Sequence, residues 1–133
     1  MLKVMALKVL REISASIHAS TFFTIMADET IDASNREQVV ICIRWVDETL
    51  EVHEDFIGLH QVDQIDATTI TSVIKDVLIR MNLSLSKCRG QCYDGAATMS
   101  GARKGVAANI KKEEPRCLYT HCYGHALNLA FGD

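Results

Sequence analysis

The chain has 133 residues, and 14 Lys and Arg against 17 Asp and Glu give it a net charge of −3. That length allows one compact domain, and the acidic balance excludes a domain that binds nucleic acid by bulk charge alone. No apolar run reaches the ~18 residues of a membrane span, no secretory leader pattern opens the chain, and five scattered cysteines read as intracellular thiols or metal ligands rather than a disulfide scaffold.

Residues 1–20 are expected to form an amphipathic helix, because Leu2, Met5, Val9, Ile13 and Ile17 lie near helical spacing. Phe22 to Ala27 reads as a short buried strand ending at Asp28, and Glu29 to Arg36 as a polar turn. Gln38 to Val46 is rich in β-branched residues and reads as a second strand. A polar break at 47–49 leads into a third strand over Leu50 to Val62, so residues 37–62 form a hairpin.

The period then changes. Asp66 or Thr68 can cap a helix whose Ile70, Val73, Ile74, Val77, Leu78 and Met81 follow helical spacing. Arg89 to Tyr93 is a fourth strand that stops at Asp94-Gly95. Thr98 to Lys112 reads as one helix despite Gly101 and Gly105, each costing ~1 kcal/mol relative to Ala, and Pro115 stops it. Cys117 to Thr120 is a short fifth strand and His121 to Phe131 an apolar helix. After the first helix the order is β-β-β-α-β-α-β-α, which suggests a mixed α/β sheet. The first three strands run antiparallel, and strands four and five join the first in parallel through crossovers.

Asp28 and Asp94 are the most informative pair. Each follows an apolar strand and precedes a polar turn. If their strands are parallel neighbours, ~4.8 Å apart, both carboxylates reach the same C-terminal sheet edge, where α/β ligand sites form. Two convergent carboxylates repel each other unless a cation neutralises them, and hard oxygen donors suit Mg²⁺ or Mn²⁺. Either aspartate also fits ordinary turn chemistry.

At these residues the chain resembles a known family. The stretches ADETIDASNREQVV (27–40), CRGQCYDGAATMSGARKGVAANI (88–110) and YTHCYGHALNLA (119–130) are similar to hAT-superfamily transposases, especially their domesticated, zinc-finger MYM-like relatives. The resemblance covers residues 20–133 and implies an α/β, RNase H-like catalytic core. It divides the chain into a leading helix (1–20), the first part of the core (21–120) and the start of a helical insertion (121–133). Such cores hold Mg²⁺ or Mn²⁺ on two aspartates and a glutamate, and cut and rejoin DNA. The resemblance puts the aspartates on Asp28 and Asp94, with Asp32 the weaker candidate for the first. No residue matches the glutamate, which follows the insertion in the family, since Glu113 and Glu114 precede it. The chain therefore reads as a truncated part of a transposase-derived protein, inactive by itself. The resemblance also implies a nuclear location. The alternative is a domesticated module that binds DNA or protein, or dimerises, without catalysis.

Cys117, His121, Cys122 and His125 form a zinc set in type, but their spacing matches no familiar finger, so zinc is not expected there. The resemblance instead brings Cys122 and His125 near the active site and substrate strand. Arg103, Lys104, Lys111 and Lys112 put a basic stretch on the helix after Asp94, suited to DNA phosphates or simply a solvated face. The apolar last helix, with Leu127, Leu129 and Phe131, is expected to favour self-association.

Overall fold

The structure is a computed structural model that describes residues 2–132, with the side chains of His125 and Leu129 outside the description. Its elements are α1 (Leu2–Ala19), β1 (Phe23–Ile31), β2 (Glu37–Val46), β3 (Val52–Gln61), α2 (Ala67–Arg80), β4 (Cys88–Tyr93), α3 (Ala97–Ser100), α4 (Val106–Glu113), β5 (Leu118–His121) and α5 (Tyr123–Phe131). The five strands form one sheet in the order β3-β2-β1-β4-β5. β1 pairs antiparallel with β2, and β2 with β3, whereas β4 lies parallel to β1 and β5 parallel to β4. The mixed α/β sheet expected from the element order is the one observed.

Alternation along the strands sorts the side chains onto two faces. Phe23, Ile25 and Ala27 of β1, Val39, Ile41 and Ile43 of β2, and Gln91 and Tyr93 of β4 are buried. They share the core with Ile70, Ile74, Val77 and Leu78 of α2 and with Val106 and Ile110 of α4. The intervening residues Thr24, Met26, Asp28, Cys42, Arg44 and Cys92 are half-buried or exposed. Asp66 caps α2, its carboxylate accepting from the Thr69 backbone N–H at 2.9 Å and the Thr69 hydroxyl at 2.8 Å.

The two hairpins turn by one device. Asp32 Oδ1 accepts from the backbone N–H groups of Ser34 and Arg36 at 2.8 and 2.9 Å, and Asn35 takes φ 60°. Asp47 Oδ1 likewise accepts from the N–H groups of Thr49 and Glu51 at 2.8 and 3.0 Å, and Leu50 takes φ 66°. An aspartate that bonds its own turn is common chemistry, and it gives Asp32 a structural role.

Two expectations need correction. β1 does not end at Asp28 but runs to Ile31, because Asp28–Ile31 pair with Glu37–Val40 of β2. The turn is thereby confined to residues 32–36. The single helix over 98–112 is two helices, since the backbone leaves α3 at Gly101 and restarts at Gly105, the N-cap of α4. A tight turn closes there, the Gly105 N–H donating to the Gly101 carbonyl at 3.0 Å, and a Cβ on Gly105 would stand 2.4 Å from the Gly101 nitrogen. The apolar stripe of α1 is buried only at its C-terminal end. Ile17 is in the core and Ile13 packs against it, while Leu2, Met5 and Val9 are 83%, 59% and 53% exposed. Contacts to the loop after α2 anchor that end: Ser14 donates to the Met81 carbonyl, and His18 Nδ1 lies 3.1 Å from the Asn82 carbonyl. On α5, Leu127 and Phe131 are exposed. Among the described residues no helix is long and apolar enough to cross a membrane.

Candidate metal centre

The parallel pairing of β1 and β4 runs to Met26 opposite Cys92. Two residues further along, each strand delivers an aspartate, Asp28 on β1 and Asp94 just past β4. Side chains two apart point to the same face, so both aspartates share the face of Met26 and Cys92. Asp28 is still held in the sheet, opposite Val40, and its Oδ1 accepts from the Glu29 N–H at 2.9 Å. Asp94 starts a turn into α3, its Oδ1 accepting from the Ala96 N–H at 3.1 Å. β5 fixes the Asp94 backbone, because Tyr119 donates its hydroxyl hydrogen to the Asp94 carbonyl at 3.0 Å. His121 covers the next residue, and a Cβ on Gly95 would stand 3.0 Å from its ring.

Glu29 joins this edge, and the sequence reading missed it. Its carboxyl is pushed above the usual range by burial first, then by the charges of Asp94, Asp28 and Glu37. Its Oε1 is buried with no hydrogen-bond partner among the described residues. The Asp28-Glu29 dipeptide was the available signal, hidden by reading residue 29 as turn. Asp28 and Asp94 on one face have the chemistry of a hard-cation donor pair and fit Mg²⁺ or Mn²⁺, while Glu29, next to Asp28 within β1, alternates to the other face and feels their charge from there. The three carboxylates are not drawn tightly together. Among the described residues, the group of three whose ligand atoms all lie within 4.8 Å is Asp47, Glu51 and His53 at the β2–β3 turn.

The other predicted residues fall elsewhere. Arg103 and Lys104 are exposed in the turn between α3 and α4, not on a helix, because Gly101 and Gly105 break it. Lys111 and Lys112 occupy the last turn of α4, and Lys112 Nζ donates to the Arg103 carbonyl at 3.3 Å. Cys122 is the N-cap residue of α5 and hydrogen-bonds Cys92. The Cys92 thiol is pushed up, mainly by burial and then by Cys122. Cys117 meets Cys88 instead, with sulfurs 3.3 Å apart in the core. The side chain of His125 lies outside the described residues.

The mixed α/β sheet is the fold of an RNase-like domain. The chain belongs to the family described as DUF4371, ZMYM1/FAM200, RNase-like domain, which matches residues 1–105 and so includes both aspartates. It is 31% identical over 116 residues to the human "52 kDa repressor of the inhibitor of the protein kinase", a match covering 85% of this chain. The mouse protein of the same name is 30% identical over 115 residues, covering 84% of this chain. The chain spans about 15% of the length of each relative. Among solved structures, it is similar to endonuclease V of Ciona intestinalis in complex with a 23mer DNA containing an inosine followed by a ribo-adenosine. That likeness has a TM-score of 0.46 and 11% identity, covering 90% of this chain and 56% of that one.

Proposed function

We propose that this domain supplies two metal ligands, Asp28 and Asp94, to a DNA-cleaving and DNA-joining site of the hAT-transposase type, working in the nucleus as part of a longer protein. The observation that carries the reading is the β1–β4 register, with Met26 opposite Cys92 and an aspartate two residues beyond each. The RNase-like family supports it, as do the three sequence blocks that resemble hAT transposases. Asp28 and Asp94 would hold Mg²⁺ or Mn²⁺. The bound cation supplies Lewis-acid stabilisation of a phosphodiester oxygen.

The chain's own residues have separate tasks. Tyr119 and the Ala96 N–H hold Asp94 in place, and the β1–β2 ladder holds Asp28. Arg103 and Lys104, exposed on the turn after α3, are suited to contact DNA phosphates. Cys122, with His125, is assigned to the substrate side of the site on the family resemblance alone. The test is DNA cleavage by a longer parent protein carrying Asp28→Asn or Asp94→Asn. Either change abolishes cleavage if the assignment holds, and retained cleavage by both variants rejects it.

A second reading is a binding module without catalysis. It is favoured by the word "repressor" in the names of the curated relatives. On this reading the same variants leave partner or DNA binding intact, and the parent shows no metal-dependent cleavage at all.

A further inference from the structure

A groove of about 680 Å³ opens between α1, α2 and β3 and shares no residue with the Asp28–Asp94 edge. Cavities that take small organic ligands fall in the range of roughly 300–1,000 Å³ and combine an apolar lining with a few polar groups. This one has that character. Leu10 of α1, Ile57 of β3 and Val77 of α2 give it apolar walls. Its titratable lining is basic in type: Arg11 and His18 from α1, His60 from β3 and Arg80 from α2, with no carboxylate among the described lining residues. Asp76 meets Arg80 at 3.0 Å, both from exposed positions.

A second observation points to a missing partner. His60 Nε2 is buried and has no hydrogen-bond partner among the described residues. Buried polar atoms are nearly always paired, by protein, water or ligand. The imidazole is also held low, by burial first and then by Arg80, with Asp76 opposing.

We propose that this groove binds a small amphipathic anion of the fatty-acid type, with its alkyl chain along Leu10, Ile57 and Val77 and its carboxylate among Arg11, Arg80 and His60. An apolar chain removes the walls from water. The carboxylate answers two guanidinium groups, which suit carboxylates geometrically, and gives the orphaned histidine nitrogen a partner.

The probe is dodecanoate, titrated calorimetrically into the whole chain below its micelle concentration. The expected result is saturable binding of one molecule per chain, with the His60 ring resonances moving and its pKa rising. Dodecyltrimethylammonium, with the same chain and opposite charge, should bind at least about tenfold more weakly. Ala15→Trp fills the mouth from an exposed position that lines the groove, and should weaken dodecanoate binding about tenfold or more. Arg11→Glu combined with Arg80→Glu should do the same. Absence of saturable binding to the folded wild-type chain overturns the proposal. So do equal binding of the cationic detergent and an unmoved His60 spectrum, and these wild-type readouts stand even if a variant fails to fold. A wild-type dimer that Ala15→Trp converts to monomer also overturns it, because the groove then holds a second copy.

Discussion

Gly90 and Thr24 face each other across the β1–β4 pairing, and a Cβ on Gly90 would stand 2.6 Å from Thr24 Oγ1 and 3.1 Å from its Cγ2. The strands that carry Asp28 and Asp94 therefore fit together only with no side chain at residue 90. The approach falls where the register slips, between Phe23 opposite Cys88 and Thr24 opposite Gly90. Gly90→Ala should cost about 1–3 kcal/mol through overpacking. Thr24→Ala, which removes both crowding atoms, should restore most of that loss. Urea unfolding of the two single variants and the double variant measures the coupling, and strictly additive losses would refute the contact.

Beneath the site, a buried polar chain crosses the core. Tyr93 donates its hydroxyl hydrogen to Gln91 Oε1 at 3.0 Å, and Gln91 Nε2 donates to the carbonyls of Ala107 and Cys117 at 3.0 and 3.3 Å. Gln91 is 1% exposed and Tyr93 fully buried, so water cannot replace a lost partner. Gln91→Leu leaves the Tyr93 hydroxyl and both carbonyls short of a bond, and should destabilise by about 1–3 kcal/mol. Thermal unfolding checks it, and an unchanged midpoint contradicts it.

Leu50 invites the opposite change. It holds φ 66° at the β2–β3 turn, a conformation that costs an L-residue roughly 1 kcal/mol, and its side chain is 82% exposed and contributes little packing. Leu50→Gly removes the Cβ clash but adds unfolded-state entropy. Leu50→Asn avoids that entropy, tolerates the left-handed region, and should stabilise by about 0.5–1 kcal/mol. A melting midpoint at or below wild type for Leu50→Asn would show that the turn is not strained there.

The patterned parts of the fold were legible in the sequence. Val39, Ile41 and Ile43 alternate, and Ile70, Ile74, Val77 and Leu78 recur at helical spacing, so β2 and α2 could be read from one-dimensional periods. Asp28 stood out after the apolar run Phe22 to Ala27, and Asp94 as the residue before the glycine that ends the fourth strand. Most of what failed depended on partners distant in sequence. Asp28 to Ile31 is too polar to announce a strand, yet β2 pairs with it residue by residue. Gly101 and Gly105 were a local failure: they looked like tolerated helix residues, yet the turn they close leaves no room for a Cβ on Gly105. Glu29 was hidden because its environment is made first by burial and then by Asp94, which is distant in sequence, ahead of the adjacent Asp28.

Glu29 also gives a pH prediction. Its folded pKa is raised, mainly by burial. The folded state thus holds a proton that the unfolded state has released, and stability falls as pH rises through the window above the ordinary Glu value of 4.5. Glu29→Gln should therefore be the more stable protein at pH 7, by well under ~1 kcal/mol because solvent screens this partly exposed group. The difference should vanish below the ordinary Glu value. Melting curves of both proteins from pH 3 to 8 test the sign, and a variant less stable at neutral pH would reverse it.

The most direct test of the metal centre is a Mn²⁺ titration followed by NMR, with wild-type, Asp28→Asn and Asp94→Asn chains. Paramagnetic broadening should begin at Asp28, Glu29 and Asp94 together, well before any at Asp47 or His53, and each substitution should remove it from both strands. Broadening that starts at the Asp47–His53 turn, or that survives at Asp94 when Asp28 is neutralised, would mean that the paired aspartates do not form one cation site.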